Sequence, residues 1–262
     1  MGRKRGNKSK SLKNLDINSI MQNIQKEMPF YNERHFQLCF AIALRDHFRF
    51  NNEIEVFVEL FDKQIDDEKH SKRNYTDVVI YDNKDKSYIA IELKYALTDR
   101  GRNSKKNDGV DRTRFEYKIG NKKISIAKKG AMDNMRYDYL YDVKRLESLK
   151  KKERAIEIIQ SASFQKGYAV LVSNDKGLWT NCALEEGAEY KTTVETNYKL
   201  FCIGNGSRTA EMCEWKKEKA CAENKRKGFQ LSKRYLCSWS EEYCKDENNN
   251  SPPFRYLVLT VD

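Results

Sequence analysis

The chain has 262 residues, 34% of them charged, and a formal charge of +11. That length can bury a sizeable core as one large or two small domains, and no run approaches the ~18 apolar residues of a membrane span. Seven cysteines, an odd number with no C-x-x-C pair, argue against a disulfide framework or a zinc knuckle and for reduced packing thiols.

The positive charge is concentrated. Residues 1–13 carry six Lys or Arg and no acid, and residues 99–129 carry eleven against four. These segments hold +6 and +7, which leaves −2 for the rest (11 − 13). Basic patches on a near-neutral body point to a polyanion partner. The N-terminus shows no apolar signal-peptide stretch, so a cytoplasmic location is expected.

In chain order, residues 1–14 read as a disordered basic arm, either adding affinity for phosphate or simply a charged terminus. Residues 32–50 predict an amphipathic helix started by Asn32, with Glu33, Phe36, Gln37, Phe40 and Leu44 on one stripe. Glu53 to Phe61 alternates as a strand, with Glu59 a spare acid, and Asp62 to Asn74 reads as a polar loop. Two further strands follow, Val78 to Tyr81 and Tyr88 to Tyr95, joined by Asn83-Lys84-Asp85-Lys86.

Residues 99–129 predict an inserted basic hairpin, with Phe115, Tyr117 and Ile119 alternating before a Gly120-Asn121 turn and Ile124 and Ile126 after it. Its aromatics, interleaved with Arg112, Arg114, Lys118, Lys122 and Lys123, suit contact with a nucleic-acid backbone or groove; a flap that touches nothing is the other reading. Residues 131–160 predict helix, with Leu140, Val143, Leu146 and Leu149 on one stripe and Asp138, Asp142 and Arg145 on the neighbouring face. Gly167 to Asn174 reads as a buried strand, and residues 189–262 as a β-rich extension packed on the same sheet. The expected division is therefore an arm (1–14), an α/β core (15–188) and the extension (189–262).

The chemistry rests on the central hairpin. A four-residue turn sets Asp82 opposite Ser87, and counting back sets Asp77 opposite Glu92. Side chains alternate, so Glu92 and Lys94 share a face with Asp77 while Ile89, Ile91, Leu93 and Tyr95 take the other. Two carboxylates with β-carbons roughly 5 Å apart repel unless a cation lies between them. Oxygen ligands with one or two carboxylates suit Mg²⁺, with Mn²⁺ as a substitute. Solvated surface charge is the plainer reading, against which stands the apolar background that Glu92 and Lys94 interrupt.

Asp77, fourteen residues, then Glu92-Leu93-Lys94, within an αβββαβ order from Glu33 to Asn174, resembles the PD-(D/E)XK (restriction-endonuclease-like) nuclease superfamily. Thr76 stands where that motif has Pro. The resemblance implies a central mixed sheet flanked by helices, catalytic Asp77, Glu92 and Lys94, and a metal shell of Asp77 and Glu92 completed by Glu33. For Glu33, an acid favoured by the helix dipole is the alternative. It implies a Mg²⁺-dependent DNA endonuclease of restriction or phage-defence type acting on double-stranded DNA, with a homodimer as one route to cutting both strands. The competing reading is a nucleic-acid-binding module that keeps the core and does not cut.

Overall fold

The computed structural model describes residues 11–24, 29–64, 74–97, 114–127, 132–179, 198–200, 209–215, 229–247 and 251–262. Helix α1 (Ile17–Ile24) precedes α2 (Glu33–Phe48), which Asn32 starts by accepting the His35 amide on its side-chain oxygen at 2.8 Å. Three antiparallel strands follow: β1 (Ile54–Gln64), β2 (Asn74–Asp82) and β3 (Ser87–Ala96). A two-stranded hairpin, β4 (Arg114–Ile119) and β5 (Lys122–Ala127), leads to α3 (Met132–Lys150) and the short β6 (Arg154–Ile156). Strand β7 (Ser163–Ser173) returns parallel to β3, as a helical crossover requires. Strands β8 (Tyr198–Leu200), β9 (Thr209–Trp215) and β10 (Phe229–Leu236) form their own sheet, and β11 (Arg255–Val261) closes the main one.

The main sheet is mixed, six-stranded and ordered β11-β7-β3-β2-β1-β6. Its two faces bury different stripes. Phe36, Phe40 and Leu44 of α2 pack with Val78, Ile80, Ile89, Ile91 and Leu93. Leu140, Val143 and Leu146 of α3 pack on Val79, Ala90, Ala169 and Leu171 on the reverse. Period-2 alternation on the strands and period-3.6 stripes on the helices generate this sandwich directly. An α/β architecture with a mixed sheet covered by helices is thus the observed class. Among the described residues no helix is long and apolar enough to cross a membrane.

Several expectations need correction. Leu12 is buried and Leu12–Asn14 forms a 3₁₀ turn, so the arm ends before residue 12; residues 1–10 lie outside the described set. Helix α1 has no counterpart in the sequence reading. Asp62 is not in a loop: β1 runs on to Gln64, and Asp62 is fully buried. Helix α3 stops at Lys150, where Lys152 takes a φ of +60° and the Glu153 amide turns back to the Ser148 carbonyl; β6 and a 3₁₀ turn (Glu157–Ile159) replace the expected continuation. The extension divides, with β11 pairing β7 in the main sheet while Leu231 and Tyr235 of β10 join the α3 side of the core.

A candidate carboxylate–lysine site at the open end of the β2–β3 ladder

The hairpin register is the one its turn length implies, with Asp82 opposite Ser87 and Val78 opposite Ile91. The ladder ends there. In β1, facing Asp77, Glu59 adopts a φ of +53°, and pairing passes directly from Val58–Val78 to Leu60–Thr76. A left-handed backbone at a non-glycine residue carries strain and marks an irregular ladder. Beyond this point β3 loses β2 as a neighbour, and its in-plane amides need other acceptors.

Two carboxylates supply them. Asp77 Oδ2 accepts the Leu93 amide at 2.7 Å, and Glu33 Oε2, from the first turn of α2, accepts the Tyr95 amide at 3.1 Å. Gln37 of α2 donates to the Asp77 carbonyl at 3.0 Å, so both ends of the Asp77 residue are held. Hydrogen bonds between amides and ionised carboxylates are of the stronger kind, about 1.5–3 kcal/mol each. The expected stripe of Glu33, Phe36, Gln37 and Phe40 therefore does face the sheet, and Glu33 and Asp77 meet the same strand two residues apart.

Glu92 and Lys94 project from β3 toward α3, in step with buried Ala90 and Ala96. Lys94 Nζ lies 3.2 Å from Asp142 Oδ2, and its side chain keeps 22% exposure, enough for water to reach it. The Asp142 charge beside it raises the Lys94 pKa against the opposing effect of burial, so the ammonium stays charged. Glu92 is 3% exposed. Arg145 Nη2 approaches Glu92 Oε1 at 3.3 Å but off the line of a hydrogen bond, and Oε1 is buried without a hydrogen-bond partner. The good bonds of that guanidinium go elsewhere, to Asp62 Oδ2 at 2.7 Å and the Tyr75 carbonyl at 2.9 Å.

Asp62 anchors the far side. It also accepts from Arg154, whose Nε lies at 3.2 Å, and from Thr76 Oγ1 at 3.1 Å. Burial pushes its carboxyl up, but Arg145 and Arg154 outweigh burial and hold it below the usual carboxylate range. At the open side the balance reverses. Burial pushes Asp77 up to about 6, against the Leu93 amide that opposes it. Burial likewise drives Glu92 well upward, with Arg145 opposing and Asp77 and Asp142 adding to the rise.

Five carboxylates (Glu33, Asp62, Asp77, Glu92, Asp142) and three cations (Lys94, Arg145, Arg154) thus gather around the end of β3. Formally they sum to −2 (−5 + 3). That surplus and the orphaned Glu92 oxygen are what a divalent cation would satisfy, so the donor set fits one chemically. Among the described residues, however, no group of three or more His, Cys, Asp or Glu side chains is arranged to hold an ion. The expected shell of Glu33, Asp77 and Glu92 does not close, because Glu33 and Asp77 are drawn to strand amides while Glu92 turns toward Arg145.

Glu59 is exposed, and among the described residues it joins no group of acids arranged to hold an ion. The basic hairpin forms, but its aromatics do not reach outward: Phe115 is 7% exposed and Tyr117 fully buried, packed with Phe254. Tyr117 Oη donates to the Pro252 carbonyl at 2.8 Å and accepts from Asn174, so groove insertion is corrected to core packing. Arg114, Lys118 and Lys123 are exposed on the opposite face, and Lys122 is exposed at the turn. Three of them are engaged: Arg114 with Ser125, Lys118 with Glu247 and Lys123 with Glu116. Arg112 lies outside the described residues.

Asp142 and Arg145 were visible in the sequence as one face of α3 without a role. Asp62 and Arg154 carried no sequence signal of burial. No protein-family model, curated protein or solved structure matches the chain, so the site is interpreted from its own geometry.

Proposed function

We propose that the chain is a divalent-cation-dependent nuclease with a restriction-endonuclease-like core, acting on phosphodiester bonds of DNA. The observation that supports this reading is that Asp77 of β2 takes the amide of Leu93, the residue between Glu92 and Lys94 on β3, with Glu33 on the Tyr95 amide two residues on. An acid on one strand and an acid-lysine pair on its neighbour suit hydrolysis of a phosphodiester at a hard cation.

Asp77 and Glu92 would hold the ion, Mg²⁺ or Mn²⁺, with the rest of its shell left to water and substrate oxygens. When bound, such an ion supplies Lewis acidity toward a phosphoryl oxygen and lowers the pKa of water. Lys94, kept cationic and aimed by Asp142, orients a water or offsets charge that grows on the phosphate oxygens. Arg145, anchored on Asp62 and Tyr75, balances Glu92 from behind without a hydrogen bond that would have to break when Glu92 turns to an ion. Exposed Arg114, Lys118, Lys122 and Lys123 offer non-specific contact to the backbone, which makes affinity fall with salt.

The test is digestion of single- and double-stranded DNA and RNA with Mg²⁺, using wild type, Glu92→Ala and Lys94→Ala. Cleavage lost in both variants, with DNA affinity within a few fold, supports the reading; cutting retained by either one removes it.

One observation favours a second reading. The chain supplies its own cations to the site, Arg145 near Glu92 and Lys94 on Asp142, as a nucleic-acid-binding module without catalysis would. Isothermal titration with Mg²⁺ or Mn²⁺ separates the two: heat of binding that Asp77→Ala abolishes favours the enzyme, and no binding favours the module.

A further inference from the structure

Strand β1 is covered unevenly. It pairs β2 along its length, but on the other side β6 meets it only from Asp62 to Gln64. The Asn83 amide donates to the Glu53 carbonyl at 2.8 Å, which makes Glu53, Glu55 and Phe57 the residues bonded toward β2 by alternation. The N–H and C=O groups of Val56 and Val58 therefore point away from β2. Among the described residues no strand pairs with them there.

Among the described residues no strand covers this edge, although it carries the exposed Glu53 and Glu55. Val58 is 50% exposed, and on α2 Leu38 and Ile42 are 58% and 51% exposed, one turn apart on the helix's outer stripe. Between α2 and the edge runs a groove of about 700 Å³ lined by Ile42, Arg45, Arg49, Ile54, Glu55 and Val56. Its charges are mixed, Arg45 and Arg49 with Asp46 on the helix and Glu55 on the strand, so the arginines of one copy can meet the strand glutamate of another.

We propose that this edge and groove receive the same edge of a second copy of the chain, making a two-fold dimer by antiparallel β1 pairing. Pairing centred on Val56 sets each Val56 opposite its counterpart and each Ile54 opposite the other copy's Val58, so both exposed Val58 side chains are covered. Arg45 and Arg49 of each copy then face a strand that carries Glu53 and Glu55. The same patch serves on both sides, so the assembly closes at two, and the irregular backbone at Glu59 bounds the pairing at one end. The dimer stands independently of the nuclease reading.

Sedimentation velocity over the micromolar range tests it on the full chain, using wild type, Val58→Lys, Ile42→Glu and a control, Leu236→Glu, at an exposed position of β10. Wild type and control are expected at twice the 30.9 kDa chain mass, and both edge variants as monomers with unchanged circular dichroism. A monomeric wild type, an edge variant that remains dimeric, or a control that also dissociates overturns the proposal. The monomeric wild type would leave the edge to a strand from another protein.

Discussion

Lys94 on β3 and Asp142 on α3 form an ion pair of 3.2 Å across the gap between sheet and helix, and Asp142 also lies 3.4 Å from Arg145. One helix carboxylate thereby sets the position of the lysine and limits how far the arginine can shift. On the proposed mechanism, Asp142→Asn removes the group that aims Lys94. The cleavage rate is expected to fall roughly 10–100-fold, the scale seen when an orienting partner behind a reactive group is lost. DNA affinity, measured by fluorescence anisotropy, should stay within a few fold; an unchanged rate would detach Asp142 from the chemistry.

Asp77 gives a pH signature without any substrate. Burial lifts its folded-state pKa to about 6, above the ~3.9 of an unfolded aspartate. Over that window the folded chain binds the extra proton. The stability from this group is therefore full below about 3.9 and lost as pH rises through about 6, for a total of ~3 kcal/mol at ~1.4 kcal/mol per pKa unit. Asp77→Asn mimics the protonated carboxyl and can still accept the Leu93 amide. Urea unfolding without divalent ions should show the variant more stable than wild type at pH 7.5, with the gap shrinking to about a third of that at pH 4.5. Equal stability at both values would mean that Asp77 is hydrated rather than buried.

Asp62 is the sole carboxylate hydrogen-bonded to both Arg145 and Arg154 among the described residues. Asp62→Ala strands two buried guanidinium groups, and removing one partner of a buried ion pair costs about 3–5 kcal/mol. Chemical denaturation should register a loss of that size. Leucine here would do no better, since Arg154 would still lack its carboxylate and Arg145 its shortest one.

Gly167 of β7 lies beneath α3, where an added β-carbon would meet Leu146 Cβ and the Phe164 ring, both at 3.1 Å. Neither the helix nor the ring can retreat freely in a packed interior. Gly167→Ala is expected to destabilise by about 1–3 kcal/mol in thermal unfolding, the usual range for overpacking. A neutral result would show that α3 rides loosely on the sheet.

The legible part of this protein is the part that short-range rules control. A four-residue turn fixes its register locally, so Asp77, Glu92 and Lys94 could be set on one face before any coordinates. The Glu33 stripe followed from helical periodicity in the same way. Asp62 and Arg154 are 92 residues apart in sequence and meet only because β6 docks on β1, which no local pattern encodes. For the hairpin aromatics, alternation shows that Phe115 and Tyr117 share a face but not whether that face is wet, and in the fold it is dry. Glu59 concealed its left-handed backbone, since its side chain gives no warning that glycine-like geometry is adopted there.

The bonds from the Leu93 and Tyr95 amides to Asp77 and Glu33 have a practical outcome. Any ligand that draws those two carboxylates toward itself must loosen or reorient their grip on the strand. The two amide protons then act as internal reporters, whose chemical shifts and exchange rates would register occupancy directly, residue by residue, even in a variant that turns over nothing.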